Sequence, residues 1–185
     1  MKVTALVVAC FAAVLLAGCA HGDSQPTNKD PGVFTYLLDR GGNWKENAVD
    51  TLPPLPQSNT LLPFTVSQNT LLQFSIDSKS LTVGTDGVVR YTVVVTSPSG
   101  ARNVNYEGIR CDTYEWRQYA GLNADHDGWD RTVATDWTRI ANGDLNAYQA
   151  ALYQDYFCAN KIPVGKAQSI LDNIKLGRTQ SMLIH

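Results

Sequence analysis

The stretch Asp86-Gly87-Val88-Val89-Arg90-Tyr91-Thr92-Val93-Val94-Val95-Thr96-Ser97-Pro98-Ser99-Gly100 decides the fold class. Asp86-Gly87 is a short-hairpin signal, because glycine takes the positive φ such a turn demands. Val89, Tyr91, Val93 and Val95 then fall on one face of a strand, and Arg90, Thr92 and Thr96 share the other with Val88 and Val94. Ser97-Pro98-Ser99-Gly100 is a second tight turn. Outward from it, Leu72, Phe74 and Ile76 alternate, Asp77-Ser78 offers a turn, and Leu81 and Val83 lead into Asp86-Gly87. On the other side, Asn103 to Cys111 pairs back, and a turn at Asp112-Thr113 leads into Tyr114 to Tyr119. The pattern predicts an antiparallel meander of about four to five strands.

Beyond it the period becomes helical. Trp137 and Ile140 suggest a short helix. Asp144 is placed to cap a second, in which Leu145, Tyr148, Leu152 and Tyr156 follow at spacings of 3, 4 and 4. A third carries Ala167, Ile170, Leu171 and Ile174 on one face, with Gly177 to end it. Strands first and helices later argue for an α+β domain, with two or three helices packed on one face of the sheet.

The chain starts with a different kind of segment. Met1-Lys2 precedes an apolar run from Val3 to Leu16 that closes on Ala17-Gly18-Cys19. The run is too short to span a bilayer, which takes roughly 20 apolar residues, but suits a signal-peptide core. Small residues before a cysteine read as a bacterial lipoprotein signal, cleaved before Cys19, with lipid on that residue. The other reading is an ordinary Ala-x-Ala-like signal in which Cys19 is incidental. Several acyl chains on one residue anchor stably where a single chain does not. Ala20 follows the cysteine. Lipoproteins kept at the inner membrane commonly carry Asp there, so the outer membrane is expected, with the domain facing the periplasm.

These readings divide the chain into a signal at 1–18, a flexible polar tether at 19–32, a single domain at 33–176 and a tail at 177–185. Leu52-Pro53-Pro54-Leu55-Pro56 is an extended arm near the domain's start, and lying on its own domain suits it better than recognition by a partner. Cleavage would leave 167 residues, which fits one domain plus a tether. With 17% charged and 44% hydrophobic residues the chain can build a core. A net charge of −2 without a basic stripe argues against nucleic acid as a partner.

Four cysteines sort by position. Cys10 leaves with the signal and Cys19 carries lipid. Cys111 and Cys158 remain in an oxidising compartment, where a pair most simply forms a disulfide. A catalytic thiol or half a metal site are the alternatives. Each wants a nearby histidine, and only His126 lies within the expected domain, since His21 is in the tether and His185 ends the chain.

The ordered series Asp86 to Thr92, Ser99-Gly100-Ala101, Tyr106 to Cys111, Tyr119-Ala120, Trp129 with Trp137, and Tyr156-Phe157-Cys158 resembles the cryptic neisserial protein-like family of proteobacterial envelope proteins. The likeness runs from about Trp44 to Cys158. It implies a secreted, single-domain protein with Cys111 and Cys158 as a recurring pair, and brings no catalytic residues with it.

Candidate sites remain. Asn123-x-Asp125-x-Asp127-Gly128, with Asp130, matches the first half of a calcium loop, but Ala134 stands where the bidentate Glu belongs. A polar turn is the reading taken, with no metal or other cofactor. Tyr106, Glu107 and Arg110, with Glu115, Arg117 and Arg90, suggest a charged cluster on adjacent strands. Cross-strand ion pairing explains it more simply than paired acid–base carboxylates. Tyr114, Trp116 and Trp129, with Tyr119, could stack on sugar rings or enter a partner's groove, although aromatic groups in small domains are more often core. Glu107, Arg110, Tyr114, Trp116 and Trp129 are therefore the candidate binding residues. The function expected is a non-catalytic binding or assembly accessory, tied to the membrane by its lipid and meeting an envelope protein or glycan. The alternative is a periplasmic hydrolase using strand-borne carboxylates or the Asp-rich loop.

Overall fold

A computed structural model describes residues 44–141 and 147–183 of the chain. The signal segment, Cys19, the tether, the expected domain start at residue 33, and Asp144 with Leu145 lie outside the described residues. The elements in chain order are β1 (Leu61–Phe64), β2 (Gln73–Asp77), β3 (Thr82–Val83), β4 (Val88–Thr96), β5 (Arg102–Arg110), β6 (Glu115–Leu122), β7 (Trp129–Asp130) and β8 (Thr138–Arg139). Then come α1 (Tyr148–Ala151), a π-helical segment (Leu152–Phe157), β9 (Cys158–Ala159), β10 (Ile162–Pro163), α2 (Ala167–Lys175) and α3 (Gln180–Leu183).

The molecule is mostly antiparallel sheet with few helices, and the meander is larger than the four to five strands expected. Eight strands join one sheet in the order β1-β2-β4-β5-β6-β7, with β3 also on β4 and β8 also on β6. The extra strands are two to four residues long, too short to show an alternation. The long β4 and β5 pair from Val88↔Arg110 to Thr96↔Arg102. The turns between strands follow the local chemistry: Gly87 (φ 76°) closes β3–β4 and Gly100 (φ 85°) closes β4–β5. β9–β10 forms a separate two-stranded hairpin through Asn160 and Lys161, both at positive φ.

The expected helix at Trp137–Ile140 is not one. Thr138 and Arg139 pair with β6 instead, and Ile140 still enters the core. The expected second helix is α only over Tyr148–Ala151 and then widens into the π segment, whose end is marked by Cys158 N–H donating to Tyr153 O. The wider turn brings Phe157, five residues after Leu152, onto the same inward side, so that Tyr156 and Phe157 are both buried. These helical residues pack on the Tyr91 face of the sheet: Phe157 against Tyr91, Tyr156 against Phe64, and Tyr148 against Phe74. Ile170 and Ile174 of α2 join the same core. α2 ends on Gly177 (φ 63°), as expected, but α3 lies within the segment read as a tail.

A disulfide links Cys111, just past β5, to Cys158 at the end of the π segment, across a separation of 47 residues. The thiols are therefore not free for catalysis or metal binding.

Candidate functional site

The sheet has two differently furnished faces, set by the register of β4, β5 and β6. Arg90 opposes Gly108, Thr92 opposes Tyr106 and Val88 opposes Arg110, so these side chains share the face away from the helices. Gly108 opposes Arg117 and Arg110 opposes Glu115, which brings both β6 groups to that face. Gly108 has to be glycine: a Cβ there would stand 2.8 Å from the Tyr119 hydroxyl and 3.0 Å from Val88 Cγ1.

The extended segment 44–56 straps this outer face. Glu46 is its hub, accepting from Arg117 Nη1 (2.9 Å), the Tyr119 hydroxyl (2.6 Å) and Trp137 Nε1 (3.2 Å), with Arg90 Nη2 at 3.7 Å. Trp44 donates to Asp86 O at 2.8 Å, lies beneath the Arg110 guanidinium at 3.8 Å and meets Trp137 edge to face. Arg90, 6% exposed, is pinned by Asp86 at 2.6 Å and donates to Asn47 O. Burial pushes the Asp86 carboxyl up, but the Arg90 hydrogen bond, the Asn47 N–H and the Arg90 charge outweigh it and hold it below the usual range. Burial and the hydrogen bond to Glu46 both drive the Tyr119 phenol upward. Arg131 donates to Val49 O and Asp50 O, and Trp129 Nε1 donates to Pro53 O at 2.7 Å. The proline-rich arm thus lies on its own domain. A cleft of about 400 Å³ opens between the strap and the sheet beside Arg117, Tyr119 and Arg131.

Glu107 points the other way, into the helix side. It opposes Tyr91, is fully buried, and accepts from the Tyr91 hydroxyl at 2.9 Å and the Tyr148 hydroxyl at 2.5 Å. Asn105 Nδ2 adds a longer contact at 3.4 Å. Burial raises the carboxyl to about 7, although hydrogen bonds from Tyr148, Tyr91 and Asn105 pull it down. The tyrosines respond in kind. Burial and then the Glu107 charge lift both well above the usual phenol range.

The cluster expected from Glu107, Arg110, Glu115, Arg117 and Arg90 is therefore split by the sheet. Glu107 is alone among the tyrosines. Arg110 holds Asp112 at 2.7 Å with Glu115 at 3.9 Å, and Glu115 also accepts from the Thr113 hydroxyl. The aromatic candidates are divided too. Tyr114 packs edge to face on Tyr153, and Trp116 lies against the helix-side core. Trp129 sits on the outer face beside Tyr106. Each is part-buried. Glu46 is one of three glutamates in the chain, and the sequence reading missed it. Its two-residue offset from Trp44 was the available signal.

The Asp-rich loop joins β6 to β7. The Asn123 side-chain oxygen accepts the N–H groups of Asp127 and Gly128, and its amide donates to Asp127 Oδ1. Asp130 Oδ1 takes the Thr132 N–H and hydroxyl. These bonds are those of a polar turn. Among the described residues no group of three or more His, Cys, Asp or Glu is placed to hold a metal.

The family model described as "CNP1: CNP1-like family" matches residues 39–175. The chain belongs to the CNP1-like family. The match spans the sheet, the strap and the disulfide of this CNP1-like protein. No curated protein and no solved structure matches the chain.

Proposed function

We propose that this CNP1-like protein is an outer-membrane-anchored lipoprotein facing the periplasm, whose domain is a non-catalytic binding or assembly accessory of the bacterial envelope. The lipoprotein signal ending at Cys19 supplies the compartment and the anchor. One observation carries the non-catalytic part: the two strand glutamates available for acid–base chemistry lie on opposite faces of one sheet, and Glu107 is fully buried. Paired carboxylates must reach one bond from a shared cleft. Glu115 is already engaged with Thr113 and Arg110. The open cleft on the outer face beside Arg117, Tyr119 and Arg131 remains for a partner.

The alternative, a hydrolase using Glu115 or the Asp-rich loop, is tested by complementation. Glu115→Gln and Asp127→Asn should each restore a deletion strain as wild type does, and the wild-type protein should turn over no muropeptide, peptide or ester. Loss of complementation at normal protein level, together with turnover by wild type alone, would replace the binding reading with the hydrolase.

A further inference from the structure

A second cleft, of about 410 Å³, lies on the helix-side face where β5 and β6 run out toward the β6–β7 loop. It is lined by Asn103, Asn105, Gln118 and His126, with Val133 and Leu122 beside them. Gly121 makes its floor. A Cβ there would stand 3.1 Å from Val133 Cγ2 and 3.2 Å from Gln118 Nε2.

The amides are ordered from beneath. Glu107 accepts from Asn105 Nδ2, and Asn105 Oδ1 in turn accepts from Gln118 Nε2 at 3.3 Å. The buried carboxylate thereby fixes which end of each amide is already used. Gln118 Oε1 is left for a ligand donor. Among the described residues the Asn103 amide and the His126 imidazole make no hydrogen bond, so both donors and acceptors remain available. Val133 is 42% exposed next to these polar groups.

This lining selects a ligand class. A polyanion would need several cations, and Arg102 supplies the only permanent charge in the wall. A peptide added as a strand would need a free backbone edge, but β5 is paired with β4 along its whole length and with β6 from Asn105 onward, which leaves only Arg102–Val104, too short an edge for strand addition. Planar amides offer paired donors and acceptors to hydroxyl and acetamido groups, and an exposed valine offers an apolar contact for an acetyl methyl. The volume lies in the range of small-ligand clefts, roughly 300–1,000 Å³. We propose that the Asn103–Asn105–Gln118 cleft over Gly121 binds a short segment of a neutral, N-acetylated amino-sugar chain. The proposal deepens the envelope-binding reading and rests on it.

The test is titration of the full chain, in a detergent without sugar groups, with the tetramer of N-acetylglucosamine, monitored by calorimetry and by amide chemical shifts. Binding is expected between micromolar and low-millimolar dissociation constants, with shifts at Asn103, Gln118 and His126. Asn103→Ala, an exposed change, should weaken it at least about tenfold while melting as wild type does, and Gly121→Ala, whose Cβ crowds Val133 and Gln118 at the floor, should weaken it as much. Should Gly121→Ala fail to fold, Asn103→Ala and the shift map still decide. The idea is overturned by no binding at about 10 mM, by equal binding of the unacetylated glucose tetramer or of tetra-alanine, or by wild-type affinity in Asn103→Ala. A blank titration beside intact complementation by Glu115→Gln removes the sugar and leaves the binding module. Hydrolysis of the tetramer instead removes the non-catalytic reading itself.

Discussion

Glu107 concentrates the polar chemistry of the helix side into one residue. Its carboxyl titrates near 7 when folded, against an ordinary 4.5, because burial penalises the charged form more than Tyr148, Tyr91 and Asn105 relieve it. Between those two values the folded state holds a proton that the unfolded state has released. Stability from this group is therefore fully present below about pH 4.5 and is lost as pH rises through about 7, a change on the order of 3 kcal/mol at most. Asp155, also raised by burial, contributes with the same sign, and Asp86, held low, opposes it. The difference between proteins isolates Glu107. Glu107→Gln keeps the shape and one acceptor, and its melting temperature should lack the part of the wild-type decline between pH 5 and 8 that Glu107 causes. Parallel melting curves for the two proteins across that window would show that the carboxyl does not titrate there.

Among the elements, the π segment and its disulfide fasten the helices to the sheet. Cys158 ends the segment and Cys111 follows β5, while the Tyr153 hydroxyl donates to Cys111 O at 2.7 Å. Closing a loop of 47 residues restricts the unfolded chain by roughly 4 kcal/mol in the chain-entropy account. Replacing both cysteines with Ala should lower the unfolding free energy from denaturant titration by about that amount, with a correspondingly lower midpoint, and non-reducing peptide mapping of wild type should show the bridge. Two alkylatable thiols in freshly isolated protein would contradict it. The same elements show what could be read beforehand. The β3–β4 and β4–β5 turns were legible because glycine at positive φ is a local requirement. The split of Glu107 from Arg90 was not, since it depends on Arg90 facing Gly108 across the ladder, a register that no single strand encodes. Nor was the Trp137–Ile140 strand: its three-residue spacing imitates a helix, and only pairing to β6 reveals it. Phe157 joins Leu152 and Tyr156 in the core through the five-residue turn, a spacing that a 3.6-residue stripe does not mark.

At the scale of the whole molecule, the strap makes the connection between the domain and whatever precedes it in the chain. Segment 44–56 is held through Glu46, Trp44 and backbone carbonyls rather than by strand pairing, so its grip depends on Arg90, Arg117, Arg131 and Trp129 being presented by a folded sheet. Among the described residues no helix is long and apolar enough to cross a membrane. Under the lipoprotein reading, attachment then falls to one residue, Cys19, and several acyl chains on it anchor stably where one would exchange. Cys19→Ala should leave the folded domain in the soluble fraction, with its disulfide and its melting temperature unchanged, because nothing in the sheet, strap or helices depends on the lipid. Mass spectrometry of the wild-type protein should show a mature chain beginning at an acylated Cys19. An unmodified amino terminus at that position, or a Cys19→Ala protein still found with the membrane at normal abundance, would remove the anchor from the proposal and leave the CNP1-like domain to reach its partner by diffusion.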